Sequence, residues 1–232
     1  MRSHSPGNLV YRVCLVTHAT GTGLAAARYL HRQGAQVILT DSDPDDLEIT
    51  ARQLGSRILA IACDLSTIAG IESLIQQIDD RYGYLDLVHT SIEMTHRHDP
   101  YALDEQDFDL YVNATLKSTY FLVTRSLELL NDEASVTLAA HSCCVRDPLC
   151  SLTQAAIDAF AVSLGSARHL RDRGIGISVL TCASLSLAAR SRMRWQRLEA
   201  EARPPKLTSP DPRPAPSAAA SRPHGHAAWA GR

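Results

Sequence analysis

Aromatic side chains are scarce in this sequence, and it has no long uninterrupted apolar run. Phe, Trp and Tyr make up 5 % of the 232 residues, although 45 % are hydrophobic. The apolar content is therefore mostly Ala, Leu, Ile and Val, which is typical of helices packed on a parallel sheet. The best apolar stretch, 177–189, is broken by Ser and Thr and falls short of the ~20 residues that span a bilayer. We expect no membrane segment.

An export signal is also missing from the sequence as it reads. The N-terminal segment MRSHSPGNLVYRV has no apolar core of the kind that signal peptides carry. We therefore expect a cytoplasmic location. In that compartment the six cysteines would stay reduced rather than form a disulfide framework.

Charge is uneven along the chain. Residues 187–232 hold nine Lys and Arg against three acidic residues, so the rest of the chain is acidic, since the net charge is −2. An acidic body argues against nucleic-acid binding as the main role. The basic tail could touch an anionic partner, but a solvated tail is the simpler interpretation.

Short apolar runs alternate with helical patterns from Leu9 to about residue 187. The segments that predict strands are 12–16, 36–40, 57–63, 85–89, 135–140 and 176–180. The segments with apolar residues at helical spacing are 24–33, 45–54, 68–82, 105–130 and 152–170. This alternation predicts an α/β fold, a doubly wound parallel sheet with helices on both faces and right-handed crossovers.

Composition divides the chain into three parts. Residues 1–8 form an N-terminal extension, 9–187 the sheet domain, and 188–232 a basic tail rich in Pro, Ala and Arg. From about residue 204 the tail has almost no aliphatic side chains to offset its ordering entropy, so we expect disorder there. Two origins stay open for this tail: a reading frame that has left its original register, or an adapted segment.

The stretch CLVTHATGTGLAAARYLHRQGAQVILTDSD runs through a strand, a glycine-containing turn, a helix, a strand and an acid. That order is typical of dinucleotide-binding folds. Gly21 and Gly23 would let amides at the helix N-terminus approach a pyrophosphate. Asp41 is placed to bind an adenosine ribose and would repel a 2′-phosphate, which favours NAD over NADP. The simpler alternative for Asp41 is a solvated turn residue.

This turn, the segment ACDLS after the third strand and the segment VNATLKSTYFLVTRSLELL together resemble a short-chain dehydrogenase/reductase, over roughly residues 9–186. The resemblance implies a Rossmann-like fold and a turn of the form Thr-Gly-x-x-x-Gly-x-Gly. Gly21 and Gly23 match the last two glycines, whereas Thr17 lies one residue too close and His18 stands at the first glycine. We therefore expect a shortened phosphate turn and weak cofactor binding.

Two further cofactor positions follow from the resemblance. Asp64, followed by Leu65, matches the family's acid that contacts the adenine ring. After the fourth strand the family shows Asn-Asn-Ala-Gly, where this sequence has HTSIEM, beginning at His89. We expect this bulky, glycine-free loop to disturb the place of the nicotinamide. The family usually continues past its sixth strand to a seventh, and no later run here is aliphatic enough to form one.

The resemblance also implies a catalytic Asn, Ser, Tyr and Lys, of which this sequence keeps half. Asn113 matches the Asn, and Ser142 is the best match to the Ser. Aligning QAAIDAF with the family's Lys-Ala-Ala-x-x-x-Phe puts Gln154 at the Lys and Cys150 at the Tyr. A thiol reaches less far than a phenol, and a neutral amide cannot lower a neighbour's pKa as a lysine does.

No shift of register restores the missing pair. The last tyrosine in the chain is Tyr120, and no lysine lies between residues 117 and 206. Loss of a positioned general acid typically removes ~10²–10⁴-fold in rate. We therefore expect a dehydrogenase-fold protein that is impaired or inactive in hydride transfer. The alternative is an active oxidoreductase, or a non-redox biosynthetic enzyme, built on Asn113 and Ser142 with an atypical carbonyl or alcohol substrate.

The cysteines near residue 145 and the longer helices allow two further predictions. His141, Cys143, Cys144 and Cys150 include no Cys-x-x-Cys pair, so we expect small buried thiols and no metal site. In the family, the helices that correspond to 105–130 and 152–170 pair across a two-fold axis. The resemblance therefore implies a homodimer.

Overall fold

The computed structural model describes residues 9–91, 102–140 and 148–181 of the chain. These residues form a six-stranded sheet, in which every pair of neighbouring strands is parallel and the order is β3-β2-β1-β4-β5-β6. The strands are β1 (Val13–Thr17), β2 (Gln36–Asp41), β3 (Ile58–Ala62), β4 (Leu85–Ser91), β5 (Leu130–Ala140) and β6 (Gly176–Thr181). The predicted doubly wound α/β class is confirmed. The predicted tail and the expected loss of a seventh strand concern residues outside the described ranges.

Seven α-helices occur in the described part of the chain. They are α1 (Gly21–Arg32), α2 (Pro44–Leu54), α3 (Ile68–Arg81), α4 (Glu105–Val112), α5 (Ser118–Ser126), α6 (Pro148–Ser166) and α7 (Arg168–Asp172). Side chains cap three of them. Asp43, Thr67 and Asp104 accept hydrogen bonds from backbone amides in the first turns of α2, α3 and α4, at 2.8 to 3.1 Å. Such caps satisfy amides that have no partner within the helix.

The core consists of two apolar clusters, one on each face of the sheet. Successive side chains of a strand point to opposite faces. Accordingly, Val13 and Leu15 of β1 belong to the larger cluster, with residues of α3, α5 and α6, while Cys14 and Val16 belong to the smaller one, with residues of α1 and α2. All four side chains are buried. Burial on both faces explains why β1 reads as a continuous apolar run.

The structure changes two of the predicted boundaries. The helix predicted over 105–130 is instead α4, a π-helical turn over Asn113–Lys117, and α5, and the chain enters β5 at Leu130. That strand starts five residues earlier than predicted because its first part is polar and irregular. Its pairing with β4 shifts register between Leu85 and Leu87, and Glu133 has a φ of 62°. A bulge of this kind hides the strand pattern from the sequence.

Helix α6 covers β5 and β6 and is the longest helix described, at 19 residues. By length and composition alone it could cross a membrane. The core helices of soluble proteins also pass that test, and Ile157, Ala161 and Leu164 of α6 lie in the larger core cluster. Most of the apolar stretch at 177–189 lies outside the described ranges.

A buried carboxylate joins three segments at the edge of the sheet opposite the helix α1 turn. Asp86 of β4 accepts hydrogen bonds from the Arg12 guanidinium at 2.6 Å, the Val13 amide at 2.8 Å and the Asn131 side chain at 3.0 Å. Only 6 % of its side chain is exposed. Because a buried charge needs compensation, this cluster fixes the starts of β1 and β5 against β4.

We predict that Asp86→Ala lowers the free energy of unfolding by about 3 kcal/mol, because it leaves a partly buried guanidinium and two amide groups without their acceptor. The matched control is Asp132→Ala. Asp132 pairs with Arg173 at 2.9 Å, but its side chain is 77 % exposed, so its loss should cost about 0.5 kcal/mol. Urea denaturation measures both values. Equal losses in the two variants would contradict the structural role of Asp86.

Candidate functional site

The carboxyl ends of β1, β2 and β4 meet at the point where the strand order of the sheet reverses. From β1 the chain goes to β2 and β3 on one side, whereas β4, β5 and β6 follow on the other. Ligands of open α/β sheets bind in the crevice outside such a switch point. Four of the sequence-predicted residues lie at this edge, namely Thr17, His18, Asp41 and His89.

The turn from β1 to α1 brings the helix start very close to the strand. A Cβ atom at position 23 would lie 2.1 Å from the carbonyl oxygen of Thr17 and 2.2 Å from that of His18. Only glycine fits there. Gly21, the first residue of α1, has a φ of 45°, which also favours glycine. The backbone of this turn therefore requires glycine at position 23 and favours it at position 21. Their contact with a pyrophosphate stays a prediction.

His18 adopts a left-handed backbone conformation, with a φ of 65°. A residue with a Cβ pays roughly 1–2 kcal/mol for this conformation. The backbone amide of His18 donates to the carbonyl oxygen of Thr40 at 2.8 Å. Its ring Nδ1 lies 3.2 Å from the Thr17 hydroxyl and 3.3 Å from the Ser91 hydroxyl. The predicted shortened turn, with a side chain where φ is positive, is what the structure shows.

Ser91 links β1 to β4 at the base of the crevice. Its amide donates to the Thr17 hydroxyl at 2.8 Å, and its own hydroxyl donates to the Thr17 carbonyl oxygen at 2.8 Å. The predicted strand over 85–89 ends at His89, whereas β4 continues through Thr90 to Ser91. The prediction does not include Ser91, because its contacts with Thr17 join residues 74 positions apart.

Asp41 ends β2 and faces the turn. One carboxylate oxygen accepts a hydrogen bond from the Ala19 amide at 2.7 Å, and the other accepts one from the Ser42 amide at 2.7 Å. The Ser42 hydroxyl lies 3.4 Å from this second oxygen. Asp41 is half-buried. Its carboxylate therefore contacts the β1–α1 turn directly, and its binding of a ribose stays a prediction.

Asp64 and Leu65 follow β3, at the same edge of the sheet. The Asp64 carboxylate accepts hydrogen bonds from the Ser66 hydroxyl at 2.6 Å and the Ser66 amide at 2.9 Å. Leu65 packs against the larger core cluster. Burial, and secondarily the charge of Asp64, raise the pKa of the neighbouring Cys63 thiol to about 11. The contact of Asp64 with an adenine ring stays a prediction.

His89 is enclosed within β4. Burial, and secondarily the charge of His18, lower the pKa of its ring to about 4. The ring is therefore neutral at pH 7. His89 pairs with Val16 on one side and Thr137 on the other, so it is a strand residue near the carboxyl end of β4. Its effect on the place of a nicotinamide stays a prediction.

The residues expected to carry the chemistry lie on two helical segments that contact each other. Asn113 opens the π-helical turn between α4 and α5, and such turns are frequent at functional sites. Cys150 and Gln154 are half-buried on α6. The Gln154 amide nitrogen donates to Asp158 at 2.9 Å, while its buried Oε1 accepts no hydrogen bond from the residues described.

Several predicted residues lie outside the described ranges. They are Ser142, His141, Cys143 and Cys144. Within 9–91, 102–140 and 148–181, no three His, Cys, Asp or Glu side chains are grouped so that they could hold a metal ion. The structure thus brings together the nucleotide end of the predicted site, and only part of its catalytic end.

Comparison with known sequences gives a consistent result. A sequence model of the family described as Enoyl-(Acyl carrier protein) reductase matches residues 16–178. The chain is 30 % identical over 120 residues to a subunit of the (2S)-[(R)-hydroxy(phenyl)methyl]succinyl-CoA dehydrogenase of Thauera aromatica, covering 50 % of this chain and 48 % of that one. It is 27 % identical over 113 residues to the 2-dehydro-3-deoxy-D-gluconate 5-dehydrogenase of Escherichia coli, covering 48 % and 45 %. The chain thus spans about half the length of these curated relatives.

Solved structures show the same fold. A short-chain dehydrogenase/reductase from Brucella melitensis superposes with a TM-score of 0.70 at 23 % identity, covering 76 % of this chain and 77 % of that one. The L-sorbose reductase of Gluconobacter frateurii, complexed with NADPH and L-sorbose, superposes with a TM-score of 0.66 at 19 % identity, covering 74 % and 68 %.

We predict that His89 makes the protein less stable in acid. Its pKa is about 4 when folded and 6.5 ordinarily, so between these values the unfolded chain binds the additional proton. The stability that the neutral ring provides is complete above about pH 6.5 and is lost as pH falls toward 4, by about 3 kcal/mol in all. Urea denaturation from pH 7.5 to 4 should show a shallower decline for His89→Leu than for the wild type. Parallel curves would refute the assignment.

Proposed function

The chain belongs to the short-chain dehydrogenase/reductase family, and we propose that it binds NAD in preference to NADP but catalyses little or no hydride transfer. Members of this family generally bind NAD(P) and small-molecule substrates. The observation that carries the binding half is the phosphate turn. Position 23 admits no Cβ, Gly21 has a positive φ, and the carboxylate of Asp41 lies against the turn. These features form the amide-lined helix start that receives a pyrophosphate.

The negative charge of Asp41 supports the proposed preference for NAD. The Asp41 carboxylate stands at the end of β2, where an adenosine ribose would lie in a dinucleotide fold. One of its oxygens accepts a single hydrogen bond, from the Ala19 amide, and so keeps capacity for a ribose hydroxyl. A 2′-phosphate in the same place would face this negative charge without a described arginine or lysine on the turn to offset it.

Two residues of α6 support the proposal that hydride transfer is slow or absent. The positions that match the family's Tyr and Lys hold Cys150 and Gln154. Gln154 donates to Asp158 and carries no charge, so it cannot stabilise a neighbouring anion as an ammonium group would. The last tyrosine of the chain, Tyr120, lies on α5 with half of its surface exposed and its ring against Phe160. Loss of the acid and the cation together removes most of the rate.

A second candidate function is supported by one observation. Asn113 begins a π-helical turn, and such turns inside helices are frequent at functional sites. An oxidoreductase or a non-redox enzyme could use Asn113 with Ser142 if its carbonyl or alcohol substrate supplies its own acid. Activity toward such a substrate would be independent of residues 150 and 154.

Binding and turnover measured side by side separate these two functions. We predict that calorimetry of the full chain shows NAD binding tighter than NADP, and that a panel of ketones and aldehydes with either reduced nucleotide gives no turnover. Cys150→Tyr with Gln154→Lys should not restore a rate of roughly 1 s⁻¹, because the shortened turn also misplaces the nicotinamide. Such a rate in the double variant would show a preserved site. Turnover by the wild type would favour the second function, and NADP binding tighter than NAD would contradict the preference.

We also propose that the protein is a homodimer. The family is typically oligomeric, and three helices of this chain leave large apolar side chains exposed on their outer surface. These side chains are Phe108 and Leu110 of α4, Tyr120 of α5, and Leu152 and Val162 of α6. Exposed apolar groups on several helices are the kind of surface that another chain can cover, and they support this proposal. Small residues such as Ala155 and Ala159 on α6 would permit close approach.

The dimer can be tested with a matched pair of variants. Leu152→Lys places a charge on the proposed interface and should turn a dimer into a monomer in light scattering at tens of micromolar. Ile49→Lys adds the same charge on α2, where Ile49 is about as exposed as Leu152, and should leave the dimer intact. A wild-type mass of one chain, or equal dissociation in both variants, would contradict this interface.

A further inference from the structure

We propose that Asp41 is a positioning residue that holds the shortened phosphate turn in its left-handed conformation at His18. The inference rests on the proposed nucleotide binding and extends it. It assigns to Asp41 a role that a ribose contact does not include. Loss of this carboxylate should weaken the binding of NAD and NADP together, instead of exchanging one preference for the other.

Two consecutive amides, those of His18 and Ala19, donate to the end of β2. The first donates to the Thr40 carbonyl oxygen at 2.8 Å, and the second to an Asp41 carboxylate oxygen at 2.7 Å. His18 directly follows strand β1 and has a φ of 65°. Its own amide makes the first bond, and the next amide makes the second. The Asp41 bond therefore acts on the peptide that follows the strained residue.

The other carboxylate oxygen fixes Asp41 itself. It accepts a hydrogen bond from the Ser42 amide at 2.7 Å, and the Asp41 carbonyl oxygen accepts one from the Cys63 amide at 2.8 Å. The backbone of Asp41 is thus bonded to Cys63, after β3, and its carboxylate is bonded both to Ser42 and to the turn. A charge-assisted bond from a fixed acceptor is the kind of contact that stabilises an unfavourable backbone conformation.

The consequence for binding follows from how close the turn lies to the helix. The carbonyl oxygens of Thr17 and His18 lie against Gly23, so a change of backbone at His18 moves the first residues of α1. Those residues carry the amides that would bind a pyrophosphate. Both dinucleotides contain the same pyrophosphate, and both should lose affinity when the turn relaxes.

The test compares two substitutions by titrating the full chain with NAD and with NADP. Asp41→Asn keeps an oxygen that can accept from Ala19 and should change NAD affinity less than about threefold. Asp41→Ala removes the acceptor and should weaken both nucleotides at least about tenfold, or about 1.4 kcal/mol. Weaker NAD with tighter NADP in Asp41→Ala would overturn the proposal, because that result indicates a ribose contact alone. An unchanged affinity for both would also overturn it.

A rescue variant and a control give a readout that general destabilisation does not produce. Glycine takes a positive φ without strain, so adding His18→Gly to Asp41→Ala should recover most of the lost affinity. No recovery would count against the proposal. Asp45→Ala removes a charge from an exposed acid at the start of α2 and should leave both affinities within about twofold. A loss of affinity there equal to that of Asp41→Ala would mean that charge, and not the turn, is responsible.

The proposal can fail or succeed even if the wild type binds neither nucleotide, which would refute the proposed function. Hydrogen exchange of the Ala19 amide then decides. In the free protein this amide should exchange at least about tenfold faster in Asp41→Ala than in Asp41→Asn. Equal rates would overturn the positioning role. If Asp41→Ala does not fold, Asp41→Ser, whose shorter side chain cannot reach equally well, replaces it in both measurements.

Discussion

The closeness of helix α1 to strand β1 is the constraint on which the rest of this site depends. A Cβ at position 23 would overlap the carbonyl oxygens of Thr17 and His18, so the helix begins where only glycine fits. With so few residues to turn in, the chain passes through a positive φ at His18. Two residues contact the turn in this conformation. Asp41 accepts a hydrogen bond from the Ala19 amide, and Ser91 contacts the His18 ring and the Thr17 hydroxyl. The nucleotide end of the site is therefore one connected unit.

The sequence predicts this architecture better at its centre than at its margins. Strands β1 and β2 lie within one residue of their predicted bounds, because burial on both faces produces continuous apolar runs. The start of β5 was missed, because the segment NDE at 131–133 reads as polar and forms a bulge. The predicted end of β4, at His89, is two residues early for a related reason. Thr90 and Ser91 are polar residues buried in the strand, and a single sequence does not distinguish such residues from a loop.

The contacts within the site were predictable only in part. Gly21, Gly23 and Asp41 could be identified because backbone conformation and charge limit the residue types at those positions. The bond between Asp41 and Ala19 joins residues 22 positions apart, and the contacts of Ser91 with Thr17 join residues 74 apart. Spacing along the chain carries no signal for such pairs, since they depend on which strands become neighbours.

The two ends of the proposed site depend on different physical requirements, so under the proposed function one can be retained while the other changes. The turn at His18 costs roughly 1–2 kcal/mol, and a hydrogen bond to a charged group offsets about as much, 1.5–3 kcal/mol. The turn is thus formed before any ligand arrives, as part of how the sheet and α1 pack. Cys150 and Gln154 meet no such requirement. They lie half-buried on α6. Under the proposed function, substitution at these two positions removes chemistry and leaves the fold, whereas a side chain at position 23 would overlap the carbonyl oxygens of Thr17 and His18 and disturb both.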